Sequence, residues 1–281
     1  MKKIIILAFA IGLFLPTDNE ATAQIFDRPV ADGLFADDGI LDKEPIPFPP
    51  IRRSDVMWSK RIWREIDFRQ KMNQPFYFPV ESHNTWRSFI NVLMDGLKAN
   101  EFTAYQISAT DELLIPMTYQ EILDQVEYER IETLQRLDTG EEYDTIIRYT
   151  FDPTRVMRLR IKEDWYFDKQ RSQMMVRIIA FCPVMMVERD GQEFPQPLFW
   201  VSYEQSRNTL ARAPVFNRTN SAERRSYDEV FWKRLFDSYV YKEENVFDRS
   251  ISDYATGVDA LLESERVKNE LFNFEHDLWE Y

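Results

Sequence analysis

Residues 155–187 constrain the fold more than any other stretch. From residue 157 the odd positions read Met157, Leu159, Ile161, Glu163, Trp165 and Phe167, and the even ones Arg158, Arg160, Lys162 and Asp164. A period of two that separates apolar from charged residues belongs to a strand with one buried and one wet face. The polar break Asp168-Lys169-Gln170-Arg171 leads into a second run. There Met174, Val176, Ile178, Ala180 and Cys182 share one face, and Ile179 and Phe181 make the other apolar too. The spacing predicts a β-hairpin whose second strand lies deeper in a sheet.

The flanks supply the other elements. Ser54 ahead of a stripe of Trp58, Ile62, Ile66 and Arg69, with Trp63 off it, predicts a helix over 54–73 that ends before Pro75 and Pro79. Trp86, Phe89, Ile90, Leu93 and Leu97 predict a second helix starting near 82–84. Thr118-Tyr119-Gln120-Glu121 and Ser226-Tyr227-Asp228-Glu229 are capping-box patterns, the latter opening a helix that groups Val230, Phe231, Leu235 and Tyr239. A last helix, opened by Thr256, spans 257 to about 275. Residues 105–107, 143–151 and 198–203 read as strands, Pro183, Pro195 and Pro197 as strand ends or edges, and 207–225 as a polar connector. Together these predict an α+β fold for residues 54–281. Its antiparallel sheet has four to five strands centred on the hairpin 155–187, flanked by N- and C-terminal helices.

The first residues predict the compartment. Met1-Lys2-Lys3, an apolar run over 4–15 and Ala21-Thr22-Ala23 describe a secretory signal peptide, residues 1–23. The run is shorter than the about 20 residues that span a bilayer, and no cysteine stands at the cleavage position to carry a lipid. Its removal takes two charges of each sign and leaves the net charge at −13, which disfavours nucleic acid as a partner. Residues 24–53 begin acidic and become proline-dense at Pro45, Pro47, Pro49 and Pro50, predicting an extended arm, either flexible or laid on a neighbouring subunit.

Residue types that carry chemistry are sparse. Cys182 is the sole cysteine and lies on an apolar strand face, and the two histidines, His83 and His276, are far apart in sequence. There is no zinc or calcium spacing, no nucleophile elbow and no glycine-rich phosphate loop, so neither metal, cofactor nor catalytic residues are expected. A periplasmic hydrolase using carboxylates with His83 or His276, and a monomeric adaptor or chaperone for secreted cargo, stay open as alternatives to a structural role. The candidate interface residues are Pro45, Pro47 and Pro49 of the arm, the basic row Arg158, Arg160 and Lys162, and Trp279 near the aromatic C-terminus. A basic row in an acidic chain suits an acidic patch on another copy.

Several segments, in order, resemble the GldN/PorN family: Asp55-Val56-Met57-Trp58-Ser59-Lys60, Lys162-Glu163-Asp164-Trp165-Tyr166-Phe167-Asp168-Lys169-Gln170-Arg171-Ser172, residues 176–183, Pro197-Leu198-Phe199-Trp200-Val201, Arg225-Ser226-Tyr227-Asp228-Glu229-Val230-Phe231-Trp232-Lys233-Arg234 and Phe274-Glu275-His276-Asp277-Leu278-Trp279-Glu280. The resemblance implies a periplasmic structural subunit of the type IX secretion and gliding-motility machinery. It implies a ring formed with an outer-membrane lipoprotein (GldK/PorK), beside the periplasmic part of the inner-membrane motor. It carries over no enzymatic site.

Overall fold

The computed structural model describes residues 40, 42–83, 86–108, 111–135, 142–189, 192–217, 220 and 223–278. The expected signal peptide, the whole of the arm before residue 40 and Trp279 lie outside the described residues. In chain order the elements are β1 (Val56–Asp67), α1 (Gln74–Tyr77), α2 (Phe89–Lys98), β2 (Ala104–Tyr105), β3 (Pro116–Met117), α3 (Tyr119–Val126), β4 (Tyr128–Gln135) and β5 (Glu142–Tyr149). They continue with β6 (Val156–Asp168), β7 (Gln173–Arg189), β8 (Gln192–Pro197), β9 (Trp200–Ser202), α4 (Tyr203–Arg212), β10 (Pro214–Val215), β11 (Arg225–Ser226), α5 (Tyr227–Trp232), β12 (Tyr239–Glu243) and α6 (Val258–Asp277).

The two alternating runs are the long antiparallel neighbours β6 and β7, paired from Val156–Met185 to Asp168–Gln173. They are the middle of an open sheet of eight strands rather than four to five, in the order β12-β1-β6-β7-β9-β2-β3, with β8 also pairing β7. The fold class is α+β as expected; the expected strand count is too low because the spacing of β1 and the start of β12 also fit a helix, and because the two-residue β3 and the proline-interrupted β8 carry no alternation. Trp58, Ile62 and Ile66 are spaced by four, which suits a helix, but four is also a multiple of two. All three lie on one face of β1, and Trp63 and Glu65 fill the other. The residues from Ile62 to Ile66 are all buried, as both faces of an inner strand must be. Tyr239 belongs to β12 because α5 ends at Trp232, and Arg234 follows in the left-handed region at φ 53°.

A bulge in β7 overturns the simple alternation. Lys162 pairs with Ala180 but Glu163 pairs with Ile178, so Ile179 is the extra residue. Ile178 and Phe181 therefore face the main core, while Ala180 and Cys182 pack on the opposite side with Trp63 and Trp200. Pro183 is not at an end. It lies within β7 where that strand exchanges partners, β9 at Ala180–Phe181 for β8 from Val184 onward, and a missing N–H is tolerated at such a gap.

Helices cover one face. Phe89 and Leu93 of α2, Tyr203 and Leu210 of α4 and Tyr227 and Phe231 of α5 join Ile66, Leu159, Ile161 and Phe181 in the main core. Farther along, α6 packs Val267 and Leu271 on Ile62 and Val240. The expected connector begins with α4; its buried side includes Ser206 and Arg207, so no apolar stripe announced it. The 143–151 strand is β5, which pairs with β4 in a separate two-stranded ribbon instead of joining the sheet.

Capping chemistry behaves as the sequence suggests at Thr118, where both arms of the box form with Glu121. At Ser226 only one arm forms, and Glu229 instead receives Lys43 at 2.5 Å. Ser88, not residues 82–84, caps α2, and Gly257, not Thr256, precedes α6 with φ 60°. Within α2 a Cβ on Gly96 would lie 2.4 Å from the Phe102 ring and 3.3 Å from Thr209 Cγ2. Gly96→Ala is therefore expected to destabilise by about 1–3 kcal/mol through overpacking in urea unfolding. A stability gain, which helix propensity alone would give at about 1 kcal/mol, would show that the ring yields.

Candidate functional site

Among the described residues no group of three or more His, Cys, Asp and Glu is placed to hold a metal, and no helix is long and apolar enough to cross a membrane. His83 forms an isolated bridge with Trp86, and His276 lies in the last turn of α6. Cys182 is 1 % exposed, and burial, the main cause, pushes its thiol up to about 12. It is an inert core residue.

The basic row is brought together, but not as a wet face. Arg158, Arg160 and Lys162 project from β6 on the side away from the helices. There β1 contributes Trp63 and Glu65, and β12 contributes Tyr239 and Lys242. Glu65, 2 % exposed, accepts from Arg158 Nη1 at 3.0 Å and Arg160 Nε at 3.1 Å, and the Tyr239 hydroxyl donates to it as well. Burial opposes the Arg160 charge, but Tyr241 and Glu65 outweigh it and hold the guanidinium above its ordinary value. Arg160 also lies over the Tyr241 ring at 4.8 Å.

Lys162 is buried and donates to the Asp111 carbonyl at 2.5 Å. Burial and then the nearby Arg61 charge pull its ammonium below the usual lysine range. Lys242 completes the arrangement, 3.2 Å from Asp111 Oδ2 and 2.9 Å from Asp248 Oδ1, with its ammonium 4.5 Å from the centre of the Trp63 ring. Two lysines thus tie Asp111 and Asp248, which lie outside the strands, to the sheet. Glu65, Asp111 and Lys242 were missed by sequence reasoning. Reading β1 as a strand would have placed Glu65 opposite Arg160, their actual register.

The proline arm makes contacts of its own from Lys43 onward. Phe48 lies against the guanidinium groups of Arg177 at 4.5 Å and Arg207 at 4.3 Å, with the Trp232 ring 5.4 Å away. Arg177 donates to the Pro49 carbonyl at 3.4 Å. Pro45 and Pro49 are half-buried and Pro47 is exposed. Beneath Phe48, Arg207 forms a two-point pair with Asp228, Nε to Oδ1 at 2.8 Å and Nη2 to Oδ2 at 3.0 Å, and the Tyr203 hydroxyl donates to the same carboxylate at 2.7 Å. All three side chains are buried. Desolvation opposes the Arg207 charge and Asp228 overcomes it, holding that guanidinium above its ordinary value.

This arrangement braces and presents surfaces; it does not assemble a nucleophile, a base and an oxyanion site. The protein-family model for the gliding motility associated protein GldN matches residues 51–280. The chain belongs to the GldN family. A search of curated proteins finds no match. As a GldN-family protein it is a structural component of the periplasmic type IX secretion and gliding-motility machinery, associated with the outer membrane, and it takes part in the ring complex. GldN-family proteins are structural, not catalytic. The match begins two residues before Arg53, so the proline arm that seats on Arg207 lies almost wholly outside it.

Proposed function

We propose that this chain is the repeating scaffold subunit of a periplasmic ring. In this reading it is exported by its 1–23 signal peptide, contacts other copies of itself and is held to the outer membrane through a GldK/PorK-like lipoprotein. The periplasmic part of the inner-membrane motor is its further neighbour. The observation that supports this reading best, beyond family membership, is the outer side of α6. Val258, Leu261, Leu262 and Phe272 are each at least 60 % exposed on a 20-residue helix. Isolated apolar residues are ordinary on a surface, but a helix exposing four large ones suits a contact face.

The seam has a second component in this proposal. Arg158 and Arg160 keep about a quarter of their side-chain surface exposed, 25 % and 27 %, and share one carboxylate. One positive charge is therefore left over for an acidic neighbour. Lys162 serves the seam indirectly, by holding Asp111. The exposed Pro47 edge of the arm and Trp279 are further contact residues in this reading.

The double variant Leu261→Ser/Leu262→Ser tests it. Both side chains are exposed, so the melting temperature is expected to stay within about 2 °C, while cross-linking to neighbouring copies or to the lipoprotein drops. Unchanged cross-linking in the folded variant would remove α6 from the seam.

A further inference from the structure

A cleft of about 570 Å³ opens between α6 and the 236–238 segment that leads into β12. Such a volume is typical of ligand sites. At its inner end lies Arg64 of β1, 7 % exposed. A buried guanidinium normally has an acidic partner, because leaving the charge unpaired in low dielectric is costly. Arg64 has none among the described residues. Its Nε donates to Ser238 Oγ at 2.9 Å and its Nη2 to the Ser238 carbonyl at 3.4 Å, both neutral acceptors. Nη1 makes no bond to the described residues.

Glu163, the acid whose charge acts most on Arg64, is already engaged. Glu163 receives Arg234 at 2.8 and 3.2 Å and the Trp165 indole at 3.1 Å. The other charged groups facing the cleft are Lys268, Glu275 and Asp237. Lys268 and Asp237 are exposed and Glu275 is half-buried. Burial lowers the Arg64 guanidinium and outweighs the pull of Glu163 and the weaker pulls of Asp237 and of Glu265, which lies beyond the cleft lining. Trp165, Phe236 and Phe272 supply apolar walls.

We propose that this cleft binds a carboxylate carried beside an aromatic or branched aliphatic group, as in a peptide segment where a glutamate or aspartate adjoins phenylalanine or leucine. The carboxylate accepts from Arg64, whose planar fork matches it, and the apolar group lies against Trp165, Phe236 and Phe272. A singly charged carboxylate fits better than a phosphate dianion, which Glu275 and Asp237 would repel more strongly.

The test is calorimetric titration of the mature chain with 3-phenylpropionate and its amide, and with acetyl-Leu-Glu-Phe-amide and its glutamine counterpart. The acids are expected to bind at least about tenfold more tightly than the amides. Arg64→Gln is expected to abolish that preference. Phe272→Ala, at an exposed position, is expected to weaken binding several-fold with an unchanged melting temperature, which keeps the test valid if the Arg64 variant fails to fold. Tighter binding of the peptide than of the free acid identifies a partner segment, and equal binding identifies a small carboxylate; either result upholds the site. Absence of binding at millimolar concentration, or equal binding of acids and amides, would overturn it.

Discussion

Replacing Asp228 by alanine is expected to cost about 3–5 kcal/mol, because it strands the buried Arg207 without its counter-ion. Domains of this kind have about 5–15 kcal/mol in total, so the variant should be marginal at 37 °C. The loss should not stay local. Arg207 is the guanidinium beneath Phe48, also 5.2 Å from the centre of the Trp232 ring, so the arm loses its seat when Arg207 turns toward water. Urea unfolding should report the stability loss, and trypsin should cut faster after Arg52 and Arg53. Asp228→Asn keeps an acceptor for the Tyr203 hydroxyl and should cost less. A loss below about 1 kcal/mol for the alanine variant, the range of exposed pairs, would mean that the pair is solvated and does not organise the arm.

The second large effect is expected at Glu65. Glu65→Ala leaves Arg158 and Arg160 side by side on the sheet with no carboxylate between them, and it deprives the Tyr239 hydroxyl of its acceptor. A cost of about 3–5 kcal/mol is again expected. The informative measurement is the double variant Glu65→Leu/Arg160→Met, which removes the acid together with one arginine. If the network is costly because its charges are buried, the double variant should recover most of the stability lost on removing Glu65 alone. Additive losses would show instead that the two side chains act independently. The phenols give a spectroscopic check. In the native protein burial first, and Glu65 second, hold Tyr239 above the usual tyrosine range. In Glu65→Ala, Tyr239 should ionise at lower pH than in the native protein.

The contrast between the predicted and observed elements has a consistent physical cause. The β6–β7 pair was legible because β6 separates apolar from charged residues over a long run, β7 is a long apolar run, and the polar break between them is a turn. The second helix and the Thr118 cap were legible for the same kind of reason, a strong local signal. β1 was not, because an inner strand buried on both faces has no wet side to mark its period. Its spacing-by-four stripe then satisfied a helical reading equally well. α4 was hidden for the opposite reason: it buries Arg207 and Ser206, so its inward face does not look apolar. The pairing of the basic row, and the burial of Lys162 within it, could not be read from β6 alone. They depend on Glu65 and Lys242, which the sheet topology brings in from about 95 residues before and 80 after. The family resemblance could be recognised without any of these corrections, since it rests on the order of matching segments rather than on their conformation.

As the proposed ring scaffold, this GldN-family chain repeats around the assembly and binds a lipoprotein partner. The native mass of the mature chain co-expressed with a GldK/PorK-like lipoprotein tests this most directly. The expected result is a large assembly containing many copies of both proteins, which comes apart toward smaller species in the Leu261→Ser/Leu262→Ser variant. A stable monomer that does not associate with the lipoprotein would contradict it.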